Sequence, residues 1–131
     1  MAGELILIVE DNERNRRLAR DVLQATGYRT VECETGEEAL RLARESRPAL
    51  VLMDIQLPGI DGLEAFRRLR ADPATATIPV MAVTASAMTH NRQTILAAGF
   101  DGYQTKPISV REFLAAVRGL LDRGAGEGRT P

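Results

Sequence analysis

Short aliphatic runs alternate along the chain with longer stretches of helical period. Leu5-Ile6-Leu7-Ile8-Val9 is apolar at every position, the pattern of a strand buried on both faces. From Glu13 to Thr26, Leu18, Val22 and Ala25 fall at helical spacing opposite a row of arginines, and Gly27 stands where a helix commonly stops. Arg29 to Cys33 predicts a second strand. Thr35-Gly36-Glu37-Glu38 opens a second helix carrying Ala39, Leu40 and Ala43, and Pro48 closes the connection. Leu50 to Met53 is a third, fully apolar strand, with Asp54 directly after it. Leu57-Pro58-Gly59-Ile60-Asp61-Gly62 is a loop by its Pro and Gly content, and Gly62 is expected to supply an unusual backbone conformation there. Leu63, Phe66 and Leu69 mark a third helix. Val80 to Val83 predicts a fourth strand ending at Thr84. Asn91 to Ala98 reads as a short fourth helix stopped by Gly99, and Gly102 to Thr105 as a fifth strand. Val110 to Asp122 is a last helix with Phe113, Leu114, Val117 and Leu121 inward.

Strands and helices in strict alternation predict an α/β fold of the doubly wound, flavodoxin-like kind. It would have five parallel strands in the order 2-1-3-4-5 and helices on both faces. One domain is expected over residues 1–123. The stretch 124–131 has no apolar residue larger than alanine and reads as a disordered tail.

Composition narrows the function rather than the fold. The chain has 131 residues, enough for a core without disulfide or metal staples. Its formal net charge of -1 argues against a nucleic-acid partner, which usually demands a basic face. One cysteine, Cys33, allows no internal disulfide, so a cytoplasmic location is expected. The first apolar run is too short for a signal segment or a membrane span, so no membrane partner is expected.

In an open α/β sheet, ligands bind at the carboxyl ends of the strands. Polar residues gather at those positions: Glu10 and Asp11 after the first strand, Asp54 after the third, Thr84 at the end of the fourth and Lys106 after the fifth. Three carboxylates brought together repel one another, and a hard divalent cation such as Mg²⁺ relieves that repulsion. A lysine and a hydroxyl beside them suit phosphoryl transfer, in which the protein mainly positions reactants and neutralises charge. Position and charge make Asp54 a site residue. They leave open whether it is the nucleophile or a metal ligand.

Four segments bear on that choice. Ile8-Val9-Glu10-Asp11-Asn12, Met53 through Gly62, Val83-Thr84-Ala85 and Tyr103-Gln104-Thr105-Lys106-Pro107 resemble the motifs of bacterial two-component response regulator receiver domains, in the same order and at similar separations. The resemblance runs from about Leu5 to Leu121. Leu52-Met53-Asp54-Ile55-Gln56-Leu57-Pro58, Ser86-Ala87-Met88 and Lys106-Pro107-Ile108-Ser109-Val110 are most similar to DivK-type single-domain regulators. The resemblance implies that Asp54 is the phosphoacceptor. It makes Asp11, Asp54 and the backbone carbonyl of Gln56 ligands to Mg²⁺, with Glu10 acting through water. Lys106 would bond the phosphoryl group, Thr84 would swing its hydroxyl toward it, and Tyr103 would be the aromatic switch. Gln56 and Ser86 would tune water access, and Pro107 stands where the family commonly has a cis peptide.

The implied function is a signalling switch rather than an enzyme. A sensor histidine kinase or histidine phosphotransfer protein would donate the phosphoryl group. A downstream protein would read the surface of the fourth helix, fifth strand and fifth helix, because no output domain follows Asp122. A haloacid-dehalogenase-type phosphatase would share the aspartate, Mg²⁺ and lysine, but it usually has a second aspartate where this chain has Gln56. An interaction module with a relic site is the other alternative. Arg14, Arg16, Arg17 and Arg20 read as a solvated face, His90 as a surface residue and Cys33 as a small strand residue without redox role.

Overall fold

A computed structural model describes residues 3–84, 92–106 and 108–129. The elements are β1 (Leu5–Val9), α1 (Glu13–Ala25), β2 (Arg29–Cys33), α2 (Gly36–Ser46), β3 (Leu50–Asp54), α3 (Gly62–Ala71), β4 (Val80–Thr84), α4 (Arg92–Ala97), β5 (Gly102–Thr105) and α5 (Val110–Arg129). The strands form one parallel sheet in the order β2-β1-β3-β4-β5. This is the predicted doubly wound architecture. β3 and β4 lie in the interior and are buried at every position, as their unbroken apolar sequences require.

Alternation along the strands divides the core in two. Leu7, Val9, Val51, Met53, Val80 and Ala82 face α2, α3 and α4, meeting Ala39, Ala43, Phe66, Leu69 and Ile95. Ile6, Ile8, Leu50, Leu52, Met81 and Val83 face α1 and α5, meeting Ala19, Leu23, Phe113, Val117 and Leu121. Side-chain caps fix where three helices begin. Asn12 accepts from the Asn15 N–H, Thr35 from the Glu38 N–H and Asp61 from the Glu64 N–H. Asn12 and Thr35 follow closely on the ends of β1 and β2, so those two loops are short and held, whereas a longer loop separates Asp54 from the Asp61 cap.

Two expectations change. The inward stripe of α1 is Ala19 and Leu23, while Leu18 is 41% exposed. Alanine at 19 lets the helix approach the sheet and Leu23 fills the space beside it. Leu18 lies one residue, about 100°, away from that stripe. At the other end of the chain, helical backbone continues past Asp122, the expected end of the last helix, to Arg129. Extending an existing helix adds one hydrogen bond for each residue fixed, without the cost of a new nucleus. Among the described residues no helix is long and apolar enough to cross a membrane.

Candidate functional site

β1 and β3 are paired with Val9 opposite Met53, and β3 and β4 with Asp54 opposite Val83. Glu10 therefore emerges beside Asp54, which is the last residue of β3 rather than the first of the loop. The next pair, Thr84 opposite Thr105, brings Lys106 to the same rim, where its N–H donates to the Thr84 carbonyl at 2.8 Å. The parallel order of the sheet thus assembles at one edge residues that lie far apart in sequence.

The acidic members are close. Single carboxylate oxygens of Glu10, Asp11 and Asp54 lie within 4.8 Å of one another. Octahedral ligand oxygens at about 2.1 Å from a cation stand about 3.0 Å apart when adjacent and about 4.2 Å when opposite, so an adjustment of about 1–2 Å would close this group on a hard divalent ion. All three donors are oxygens, which suits such an ion and not a soft one. Glu10 and Asp54 are 6% and 4% exposed, whereas Asp11 faces solvent.

Lys106 sits between the two buried acids. Its Nζ is 2.6 Å from Glu10 Oε1 and 3.0 Å from Asp54 Oδ2. Burial, with the neighbouring Asp54 carboxylate adding to it, pushes Glu10 up to about 7 against the pull of the ammonium. For Lys106 burial works toward the neutral form, but the hydrogen bonds and charges of Glu10 and Asp54 outweigh it and raise its pKa above the usual lysine value. The site therefore holds two buried acids, and one of them is poised to bind or release a proton near neutrality.

Backbone groups complete the frame. The Gln56 N–H donates to Asp54 Oδ1 at 3.0 Å, and the Asn12 N–H to Glu10 Oε2 at 3.1 Å. One oxygen of each carboxylate is thus tied to the loop after its own strand, and the other faces Lys106. The Gly62 N–H donates to the Ile55 carbonyl at 2.9 Å, folding the loop back so that α3 starts against the end of β3. A Cβ on Gly62 would collide with the Asp54 carbonyl oxygen and stand 2.7 Å from Ile55 Cα. This corrects the expectation for Gly62: close approach requires the glycine there, and the left-handed backbone of this loop belongs to Gly59, at φ +73°.

Thr84 is fully buried at the end of β4. Tyr103, opposite Ala82, is half-buried against the cluster containing Phe66, Ile95 and Phe100. Ser86, His90 and Pro107 lie outside the described residues. Cys33 is buried, and burial, with the Glu38 charge adding to it, pushes its thiol up to about 12, which leaves it inert as a nucleophile. The row of arginines on α1 is not uniformly solvated. Arg16 and Arg20 reach Glu32 of β2 at 3.3 and 3.5 Å, and Arg16 Nη1 also donates to the Glu10 carbonyl at 2.9 Å. Sequence reading missed Arg16 and Glu32 because a pairing across the β1–β2 crossover leaves no local periodic trace.

Residues 6–118 match the family described as the response regulator receiver domain. The chain is 48% identical over 116 residues to the polar-differentiation response regulator DivK of Brucella anthropi, covering 88% of this chain and 94% of that protein. The Brucella ovis DivK is 47% identical over the same length. Among solved structures, the receiver domain of a sensor histidine kinase from Pseudomonas aeruginosa is similar at a TM-score of 0.85 and 35% identity, covering 92% of this chain and 99% of that one. That structure holds a magnesium ion coordinated in its active-site cleft. A CheY-like receiver domain protein from Methanospirillum hungatei is similar at a TM-score of 0.86 and 28% identity, covering 96% and 99% of the two chains.

Proposed function

The chain belongs to the response regulator receiver domain family, and from that premise we propose that it is a DivK-like signalling regulator whose Asp54 accepts a phosphoryl group, with Mg²⁺ bound, from the phosphohistidine of a sensor histidine kinase or histidine phosphotransfer protein. The observation that carries this reading is the position of Asp54: its Oδ2 lies 3.0 Å from Lys106 Nζ, and its carboxylate belongs to the three-acid group at the strand ends.

Asp11 and Asp54 would hold the cation through their carboxylates, Gln56 through its backbone carbonyl and Glu10 through water. Mg²⁺ held there would supply positive charge that offsets the carboxylates and the charge of the transferring phosphoryl group. An Asp54 oxygen attacks phosphorus in line with the donor nitrogen. The new P–O bond forms as the P–N bond breaks, and the nitrogen keeps the bonding pair. Lys106 exchanges its contact with Asp54 Oδ2 for a phosphoryl oxygen, so its charge stays at the reacting centre throughout. Burial of Asp54 limits access of bulk water to the acyl phosphate, and Gln56 and Ser86 tune that access.

The output is a change of shape. The Thr84 hydroxyl turns toward the phosphoryl group, Tyr103 follows inward, and the face formed by α4, β5 and α5 presents a different surface to a downstream protein. A bias of a few kcal/mol between two pre-existing states suffices for this, roughly. The role is that of an adaptor or relay whose chemistry is confined to its own phosphoryl transfer and slow dephosphorylation. The test supplies Mg²⁺ and phosphoramidate and weighs the protein. Wild type is expected to gain one phosphoryl group and Asp54→Ala none. Equal gain on both, or none on wild type, would sink the reading.

A further inference from the structure

β1 ends at Val9, and from there the chain leaves the sheet to deliver Glu10 and Asp11 to the rim. The backbone of Glu10 is fixed at both its polar atoms. Its N–H donates to the Cys33 carbonyl at 3.1 Å, and its carbonyl accepts from Arg16 Nη1 at 2.9 Å. The same guanidinium is anchored at its other edge, where Nε stands 3.3 Å from Glu32 Oε1. Arg20 Nη1 reaches the second oxygen of Glu32 at 3.5 Å. The Arg16 side chain is only 16% exposed, so this is not a loose surface pair.

The Glu10 carbonyl lies in the same rigid plane as the N–H and Cα of Asp11. Holding that oxygen restrains the rotation of the peptide plane, and so the position of the Asp11 Cα from which its carboxylate projects. Asp11 is the exposed member of the three-acid group, without the burial that locates Glu10 and Asp54. A flat guanidinium can serve the carbonyl along one edge and Glu32 along another, whereas a lysine ammonium offers no such fork.

We infer that Arg16, oriented by Glu32, is a positioning residue that aims Asp11 at Asp54 through the Glu10 carbonyl and thereby sets the affinity of the rim for a divalent cation. This rests on the reading of Glu10, Asp11 and Asp54 as the cation site. It assigns to β2, an edge strand that contributes no ligand, a hold on the metal through Glu32.

The full-length chain is titrated with Mg²⁺ alone, following the amide resonances of the β1–α1 and β3–α3 loops by NMR. The Mg²⁺ dependence of phosphorylation by phosphoramidate is then measured by mass. Arg16→Met, which keeps the aliphatic stem, is expected to weaken Mg²⁺ binding about tenfold, as loss of an outer-sphere partner commonly does. Arg16→Lys and Glu32→Gln are expected to fall between Arg16→Met and wild type. At saturating Mg²⁺ the rate of Arg16→Met should return to within about twofold of wild type, because the reacting groups themselves are intact. Unchanged Mg²⁺ affinity in Arg16→Met overturns the inference, as does a rate lowered equally at every Mg²⁺ concentration. If Arg16→Met does not fold, Glu32→Gln decides by the same two measurements. Absence of Mg²⁺ binding by wild type would overturn the cation site itself, a failure visible before any variant is made.

Discussion

The Nζ of Lys106 lies 2.6 Å from Oε1 of Glu10, and both side chains are almost wholly removed from solvent. Even so, Glu10 is pushed up to about 7 from an ordinary value of 4.5, with burial as the first cause and Asp54 as the second. The folded protein thus binds this proton more tightly than the unfolded chain. The stabilisation that follows is fully present below about pH 4.5 and is lost as pH rises through about 7. Lys106 shifts upward from 10.5, so its own contribution is lost only in the alkaline range and does not enter this window. In chelator, thermal unfolding is expected to occur at lower temperature at pH 8 than at pH 5, by an amount equivalent to about 1–3 kcal/mol. Glu10→Gln should flatten that dependence, and millimolar Mg²⁺ should reduce it. An identical pH slope in the variant would remove Glu10 as its source.

Lys106 also occupies space and charge that a cation would share. Replacing it with methionine keeps the stem and leaves Glu10 and Asp54 facing each other without the ammonium. Lys106→Met is expected to lose about 1–3 kcal/mol of stability at pH 8 in chelator, and less at pH 5, where Glu10 carries its proton. The same variant is expected to bind Mg²⁺ more tightly than wild type, because two acids then have the cation as their sole neutralising partner. Its phosphorylation by phosphoramidate should nevertheless be slower. Calorimetric titration with Mg²⁺ and mass measurement separate the two effects. Weaker Mg²⁺ binding together with slower phosphorylation would mean that Lys106 organises the acids rather than competing with the ion.

Two glycines give opposite expectations. At Gly62 a Cβ would meet the Asp54 carbonyl and the Ile55 backbone, neither of which can yield without moving the end of β3. Gly62→Ala should cost several kcal/mol, of the order seen for backbone conflicts and overpacking, and should reduce phosphorylation by displacing Asp54. Gly119 lies within α5, and a Cβ there would meet nothing within 4 Å. Gly119→Ala should stabilise the protein by about 0.5–1 kcal/mol with phosphorylation unchanged. Urea unfolding of both variants checks the pair.

The two glycines also show where sequence reading reached its limit. The Pro and Gly content of residues 57–62 marks a loop, but composition does not separate a left-handed turn from a close approach. Here the first belongs to Gly59 and the second to Gly62. β1, β3 and β4 are legible because each is a short, largely apolar run, whereas β2 and β5 carry polar residues and stand out only through their alternation with helices; the parallel order of the five puts Glu10, Asp54, Thr84 and Lys106 on one rim. The face of α1 was not legible, since Leu18 and Leu23 are equally apolar and only the fit of Ala19 against the sheet decides between them. The Arg16–Glu32 pair was hidden for a related reason: arginine on an amphipathic helix reads as solvated until a neighbouring strand supplies its partner. Charge and position marked Asp54 as a site residue, while its assignment as phosphoacceptor came from motif resemblance, and the mass measurement bears directly on that step.

β4 connects the rim to a second polar cluster at its other end. Thr84 closes the strand beside the acids, whereas Val80 opens it with its N–H donating 2.8 Å to Asp101 Oδ2. That oxygen also accepts from Arg70 Nη2 at 2.6 Å, and Arg70 Nη1 donates 2.7 Å to the Ile78 carbonyl. The guanidinium carbon stands 4.8 Å from the centre of the Phe66 ring, which is itself stacked on Phe100. Asp101 thus ties α3, the start of β4 and the approach to β5 together at the end of the sheet remote from Asp54. Asp101→Ala leaves the half-buried Arg70 without its carboxylate and the Val80 N–H without its acceptor. A loss of about 2–4 kcal/mol is expected in urea unfolding. Because β4 reaches the rim as a fully buried strand held on both sides, the disturbance should stay at its origin, and phosphorylation of the folded variant by phosphoramidate should match wild type. A loss of phosphorylation in a variant still folded would instead show that the register of β4 is set from its first residue, and that Asp101 acts on the site along the whole strand.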